Sequence, residues 1–181
     1  MTSVPTAQLR SSPAPPRTGA FHEAERYRIR SVERCGLLDS GREERFDRLT
    51  REAQNRFGVM DSIISLIADD RQYLKSSTGT LPLNLPRDVS ICTVTIRGEE
   101  PLVVPDLLAD ERFARNPYVT GAPFLRFYAG VPLRGPGGWF VGTFCLLGTE
   151  PRGLDPREYR YFEHLAREAE LELNHVGDAR S

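Results

Sequence analysis

Apolar residues recur along this chain with two spacings, and the two spacings predict where helices and strands lie. From Glu23 to about residue 37, and again after Ser40, apolar side chains return every three to four residues, which predicts two amphipathic helices. Ser40 and Glu43 have the spacing of a capping box at the start of the second helix. A third helix is predicted after Asp155, because an Asp-Pro pair supplies an N-cap and a first turn.

Short runs of β-branched and aromatic residues predict an antiparallel sheet. SIISLIA and QYLKSS are joined by a polar turn, and PLVVP adds a further short strand. RFYAGVPL and WFVGTFCLL flank a Gly-Pro-Gly-Gly segment, which supplies the backbone angles that a hairpin needs. Residues 88–97, DVSICTVTIR, fit a helix by apolar spacing and a strand by β-branched content, so the pattern leaves this segment open. The element order predicts an α+β domain built on an antiparallel sheet.

Composition divides the chain into one domain and two tails. Residues 1–22 are rich in Pro, Ser, Thr and Ala and poor in large apolar side chains, which predicts a disordered tail. Residues 23–177 are long enough to bury a single core, and residues 178–181 form a short C-terminal tail.

Charge and cysteine usage exclude several classes of function. The 24 Lys and Arg residues balance 25 Asp and Glu residues, so we expect neither nucleic acid nor an anionic membrane as a partner. The N-terminus has no apolar segment typical of a signal peptide, and no run of about 18 apolar residues occurs, which predicts a cytoplasmic protein. The three cysteines and three histidines are scattered without metal-ligand or disulfide spacing, so the cysteines are predicted to be buried, reduced thiols and no metal site is expected.

Several ordered motifs together resemble a GAF domain of the kind found in bacterial sensory signalling proteins. They are LLDSGREERFDRLTREAQNRFG, DDRQYLKS, PRDVSICTVTI, PLVVPDLLADERFARNP, RFYAGVPL and GTFCLL, and the resemblance extends over about residues 25–176. It implies a central antiparallel sheet of five or six strands, with the N- and C-terminal helices on one face and a pocket on the other. It also implies a helix within residues 88–97.

The same resemblance implies a small-molecule ligand without identifying it. GAF domains bind cyclic nucleotides, bilins, haem or 2-oxoglutarate, and many have no known ligand. This chain has neither the Asn-Lys…Phe…Asp-Glu signature of the cyclic-nucleotide binders nor the Cys-His dipeptide of the bilin binders. We therefore expect neither ligand, and the cofactor stays unknown.

Eight residues are candidates for a ligand site, from the predicted helix at 88–97, the polar loop that follows, and the last hairpin. They are Cys92, Asp106, Asp110, Arg112, Asn116, Arg126, Tyr128 and Thr143. Carboxylate and guanidinium groups would orient a ligand at an otherwise apolar site. Alternatively, Asp106 and Asp110 cap turns of the loop, Arg112 pairs with one of them, and Tyr128 is a core aromatic.

Three hypotheses for function follow. The first is a non-catalytic, stand-alone sensory or regulatory module that binds a small molecule or a partner protein. The second is an enzyme similar to the free methionine sulfoxide reductases, which have a GAF fold and use cysteines around a pocket loop. Residues 106–123 contain no Cys, which argues against this reaction. The third is a ligand-free interaction module whose core is filled by aromatic side chains.

A signalling domain acts through an output, and we expect no kinase, cyclase or DNA-binding domain within these 181 residues. We therefore expect a parallel homodimer through the two terminal helices, or a separate signalling partner protein. The last helix carries an apolar stripe, while Tyr161 and Leu171 project away from it. With Ile29 or Val32 of the first helix, they are predicted to form a second contact surface. The stripe itself consists of Phe162, Leu165, Ala169, Leu173 and Val176.

Overall fold

Each strand runs antiparallel to its hydrogen-bonded neighbours. The structure is a computed structural model and describes residues 18–175. The sheet has six strands in the order β3-β2-β1-β6-β5-β4. The strands are β1 (Asp61–Ile67), β2 (Arg71–Ser77), β3 (Asn84–Pro86), β4 (Leu102–Val104), β5 (Phe127–Arg134) and β6 (Phe140–Gly148). The predicted α+β fold on an antiparallel sheet is confirmed, and so are both predicted hairpins.

Five α-helices accompany the sheet in the described part of the chain. They are α1 (Thr18–Arg34), α2 (Glu44–Phe57), α3 (Cys92–Thr95), α4 (Pro117–Thr120) and α5 (Pro156–Asn174). The segment that the pattern left open is helical, as the resemblance implied: it forms a 3-10 turn at Arg87–Val89 and then α3. The predicted cap of α5 is also present, because the Asp155 carboxylate accepts hydrogen bonds from the first-turn N–H groups and Glu158 completes a capping box. None of the helices within residues 18–175 is both long and apolar enough to cross a membrane.

Two sequence predictions need correction. The structure begins α1 at Thr18, so residues 18–22 are helical rather than part of a disordered tail; residues 1–17 and 176–181 lie outside the described residues. The predicted capping box at Ser40 is wrong, because Glu43 is the N-cap of α2 and its side chain makes no cap hydrogen bond. The Ser40 hydroxyl instead accepts a hydrogen bond from the buried Lys75 ammonium at 2.6 Å.

The sheet separates two apolar clusters, because successive strand residues point to opposite faces. On one face, α1, α2 and α5 cover side chains such as Ile64 and Phe144. The other face, with Ile63 and Cys145, is covered by α3, α4 and the loops around them. This is the two-sided arrangement that the resemblance implied.

The predicted apolar stripe of α5 is buried against the helical face wherever the structure describes it. The buried residues of α5 include Phe162, Leu165, Ala169 and Leu173. The remaining member, Val176, lies outside the described residues.

Candidate functional site

A small cavity lies between α3 and the sheet. Its volume is about 30 Å³, which is room for about one water molecule. Apolar side chains such as Ile63, Leu85 and Leu125 form most of its wall. The polar part of the lining includes Gln72, Ser90, Cys92, Tyr128 and Cys145. We take this cavity and the polar side chains beneath it as the candidate site.

Strand alternation and one glycine place the polar groups on this face. In β6, Thr143 and Cys145 alternate with Phe144, which belongs to the helical face. Gly130 of β5 pairs with Cys145 across the strands. A Cβ atom at Gly130 would collide with the hydroxyl of Tyr128. The missing side chain at Gly130 therefore leaves the space that the Tyr128 ring occupies on this face of the sheet.

Gln72 joins the sheet to the segment before α3. Its Oε1 accepts a hydrogen bond from Ser90 Oγ at 2.5 Å. Its Nε2 donates to Ser65 Oγ at 3.0 Å and to Cys92 Sγ at 3.2 Å. Ser65 Oγ in turn lies 3.2 Å from Thr143 Oγ1. Because these groups are buried, the hydrogen bonds offset the cost of removing them from water.

Two cysteines and a tyrosine meet beside this glutamine. Cys92 Sγ and Cys145 Sγ are 3.7 Å apart, and the Tyr128 hydroxyl donates to Cys92 Sγ at 3.4 Å. The same hydroxyl is 2.6 Å from Thr95 Oγ1. Both thiols and the phenol are buried, with 3% or less of each residue exposed. We refer to Cys92, Cys145, Tyr128 and Gln72 as the thiol cluster.

The thiol cluster makes its two cysteines unequal. The hydrogen bond between the two thiols contributes most to lowering the pKa of Cys92, which falls to about 6 although burial opposes the shift. The same hydrogen bond, and then burial, raise the pKa of Cys145 well above its usual value. Burial also raises the pKa of Tyr128 well above its usual range, so this hydroxyl is a hydrogen-bond donor at neutral pH. Cys92 is therefore the more acidic of the two thiols.

Four predicted residues form two ion pairs in the loop and do not line the cavity. Arg126 makes a bidentate pair with Asp106, with both N···O distances at 2.8 Å. Arg112 pairs with Asp110 at 3.0 and 2.7 Å. Both carboxylates also accept a backbone N–H two residues later, as the capping alternative predicted.

Asn116 links the loop to the rim of the cavity. Its Oδ1 caps α4 by accepting the Tyr118 N–H at 2.9 Å, and its Nδ2 donates to the Val89 carbonyl at 2.7 Å. Of the eight predicted residues, the structure thus brings together three: Cys92, Tyr128 and Thr143.

Four residues at the site, Gln72, Ser90, Cys145 and Thr95, are not among those predicted from the sequence. Gln72 and Cys145 lie in strands that were predicted, and the pattern of alternation was available. Their proximity depends on the β2-β1-β6 order and on strand register, which a single sequence does not give. Across the described residues, no three His, Cys, Asp or Glu side chains are grouped so that they could hold a metal ion.

A wider cleft of about 630 Å³ opens at the surface beside α1. Its wall includes Glu25, Arg28 and Arg87, and the Glu25 carboxylate is already bound by both guanidinium groups at 2.8 and 2.7 Å. The cleft is open to solvent, and these charged groups satisfy one another. We therefore favour the cavity beneath α3 as the binding site.

Comparisons with known proteins agree with this fold. A cyclic di-GMP phosphodiesterase of Pseudomonas aeruginosa is 37% identical over 151 residues, covering 83% of this chain and 26% of that protein. The chain thus spans about a quarter of the length of this relative.

Solved structures with a similar fold share little sequence. The GAF domain of an Acinetobacter phosphoenolpyruvate-protein phosphotransferase superposes with a TM-score of 0.57 at 15% identity, over 81% of this chain and 92% of that one. The free methionine-R-sulfoxide reductase of Neisseria meningitidis, solved with its substrate, gives a TM-score of 0.57 at 18% identity, over 92% and 95%. A sequence model described as the GAF domain matches residues 41–173. The chain belongs to the GAF domain family.

Proposed function

We propose that this protein is a non-catalytic sensory or regulatory module of signal transduction, and that it binds a small molecule in the cavity beneath α3. The observation that carries the proposal is the lining of this cavity. Its walls are apolar, and the few polar groups of the thiol cluster and Ser90 converge on one side. Small-molecule sites have this composition, in which apolar contact gives affinity and a few polar groups fix orientation.

The proposed ligand is mostly apolar and carries one or two polar groups. Tyr128 offers a hydroxyl and Gln72 an amide for those groups, both buried and already oriented by neighbouring hydrogen bonds. A ligand larger than water needs α3 and the segment before it to move outward, because the cavity of about 30 Å³ is too small for it. Helix α3 is a single turn of four residues, so this movement disrupts little regular structure.

The relatives support a signalling role. The phosphodiesterase of P. aeruginosa resembles this chain over a quarter of its length. We propose that the similarity reflects a shared regulatory module and not a shared catalytic activity.

A thermal-shift screen of metabolites tests the ligand site. Val89 lines the rim of the cavity and is partly exposed, so Val89→Trp fills the entrance with little disturbance of the core. Leu83 is 55% exposed and is not part of the lining, so Leu83→Trp is the matched control. We expect stabilising compounds to lose their effect in Val89→Trp and to keep it in Leu83→Trp. Equal stabilisation of both variants would mean that the site lies elsewhere.

A reductase activity is the enzymatic alternative, and the paired cysteines at the cavity are the observation that favours it. We expect no turnover, because residues 106–123 supply no cysteine to the loop. The assay supplies free methionine sulfoxide and a thiol reductant to the parent and to the double variant Cys92→Ser, Cys145→Ser. Turnover in the parent that disappears in the double variant would establish an enzyme.

We further propose that the module transmits its state through a homodimer of the terminal helices or through a separate partner protein. Leu171 of α5 supports this, since 72% of it is exposed although the neighbouring stripe is buried. Val32 is excluded from the contact surface, because it is 1% exposed and belongs to the core. Ile29 is partly exposed and stays in the proposed surface.

A further inference from the structure

The two buried cysteines of the thiol cluster are brought together by elements that are distant in sequence. Cys92 is the first residue of α3, and Cys145 lies in the middle of β6. Their sulfur atoms are 3.7 Å apart, whereas a disulfide bond measures about 2 Å. The sulfur atoms need to approach by only a little under 2 Å to bond, and α3 is a single helical turn of four residues.

Small polar molecules have a route to this pair. Both cysteines line the cavity, and three other residues of its wall, Leu81, Val89 and Tyr118, are partly exposed. Hydrogen peroxide is little larger than water, for which the cavity has room. The third cysteine, Cys35, lies apart from this cavity and serves as an internal reference.

We propose that Cys92 and Cys145 are a peroxide-sensitive modification site, which closes to an intramolecular disulfide that fastens α3 to the sheet. This inference does not depend on the identity of a ligand or on the proposed function.

The first step is the oxidation of Cys92. Its thiolate attacks one oxygen of hydrogen peroxide, the O–O bond breaks, and the departing hydroxide takes up the proton that the thiol released. The products are a sulfenic acid at Cys92 and one molecule of water. Gln72 and Tyr128 donate hydrogen bonds to this sulfur and thereby favour the thiolate over the thiol. Cys35 lacks this advantage, because burial raises the pKa of its thiol to about 11.

The second step joins the two cysteines. Cys145 Sγ attacks the sulfur of the sulfenic acid, the S–S bond forms and the S–O bond breaks. The departing hydroxide leaves with the Cys145 proton as a second water. The two thiols lose two electrons in total and the peroxide gains them. The hydrogen bond to an ionised Cys92 that raises the pKa of Cys145 is lost once Cys92 is a neutral sulfenic acid, so the second thiol ionises more readily than before.

Peptide mapping of the full chain tests this site. The reduced protein is exposed to hydrogen peroxide, its remaining thiols are alkylated, and it is digested with trypsin without reductant. The cleavage sites place Cys92 in residues 88–97, Cys145 in residues 135–152 and Cys35 in residues 35–42. We expect the first two peptides to be linked, to separate with dithiothreitol, and to be linked equally in Cys35→Ser, while residues 35–42 stay alkylated in the parent.

A second variant tests the order of the steps. In Cys145→Ala, Cys92 has no resolving partner, so dimedone is expected to trap a sulfenic acid in residues 88–97. Three results would overturn the inference: unlinked peptides with all thiols alkylated, a link that includes residues 35–42, or oxidation of Cys92 beyond the sulfenic acid in the parent without a link to Cys145.

Discussion

At the scale of single residues, the most unusual group outside the site is a buried ammonium. Lys75 is the only lysine in the chain, and its side chain is 1% exposed. Its Nζ donates to Ser40 Oγ, to the Gly41 carbonyl and to Glu43 Oε1 at 2.5 to 2.6 Å. These three hydrogen bonds satisfy the ammonium and fasten the loop before α2 to strand β2. The same contacts explain why Ser40 does not act as a helix cap.

Removing this ammonium is expected to destabilise the fold. Lys75→Met keeps the length of the side chain but leaves the Gly41 carbonyl without this donor and Glu43 with Arg45 as its remaining partner, at a cost of about 1–3 kcal/mol in the free energy of unfolding. Urea denaturation of the variant and the parent measures this cost. Ser40→Ala is the control and should lower the free energy of unfolding by less than Lys75→Met does, because the Lys75 ammonium keeps two of its three acceptors. A Lys75→Met protein as stable as the parent would show that the ammonium is not structurally required.

At the scale of elements, a charged triad connects α1 to the 3-10 turn before α3. Glu25 of α1 binds Arg28 of the same helix and Arg87 of the turn. Arg28 also donates to the Ile67 carbonyl at 2.8 Å, at the end of β1. Burial would raise the pKa of Glu25, but the hydrogen bonds and charges of the two guanidinium groups lower it to about 2. The triad thus stabilises the docking of α1 only when Glu25 is ionised.

The contribution of this triad should depend on pH. The pKa of Glu25 is lower in the folded chain than in the unfolded chain, so its stabilisation is present above about pH 4.5 and is lost as the pH falls towards 2. Glu25→Gln should lower the free energy of unfolding by about 1–2 kcal/mol at pH 7, a range that allows for the partial exposure of the Glu25 side chain. The difference in the free energy of unfolding between this variant and the parent should shrink as the pH falls from about 4.5 towards 2. Chemical denaturation at a series of pH values measures this difference, and Glu23→Gln, at an exposed position, is the control. A difference that stays constant with pH would contradict the role assigned to ionised Glu25.

Much of the fold could be predicted from the sequence because local patterns determine local elements. The alternation in RFYAGVPL and WFVGTFCLL and the Asp155-Pro156 cap gave the last hairpin and α5 correctly. The site was harder to predict because it depends on the register between strands and on which charged side chains pair with one another. Cys145 meets Cys92 only through the strand order, while Arg126 and Asp106 bind each other instead of lining the cavity. Neither outcome is visible in the periodicity of a single sequence.

At the scale of the whole molecule, the two faces of the sheet differ in what covers them and in their polar content. The helical face is a continuous apolar core with α1, α2 and α5. The opposite face holds the cavity and the buried thiol cluster under short helices and loops. We infer that the helical face supplies stability, and that a ligand changes the molecule by moving the α3 face.

The proposed dimer is also a property of the whole molecule. Leu171→Glu places a charge on the most exposed large apolar side chain of α5 and should raise the dimer dissociation constant at least tenfold, because a buried interface excludes an unpaired charge. Light-scattering mass over a concentration series measures this change. Leu108→Glu, in a loop outside the terminal helices, is the matched control and should leave the dimer intact. A monomer at every concentration, or a dimer indifferent to Leu171→Glu, would contradict this interface.

The location of the ligand site is tested most directly by methyl NMR with isotope-labelled isoleucine. Ile63 and Ile64 are adjacent in β1, but Ile63 lines the cavity and Ile64 belongs to the helical core, so each serves as a control for the other. The probe is the compound that stabilises the protein most in the thermal-shift screen. We expect its addition to shift the methyl signals of Ile63 and of Ile91, which also lines the cavity, and to leave the signal of Ile64 unchanged. Shifts of Ile64 with Ile63 and Ile91 unchanged would contradict a site beneath α3.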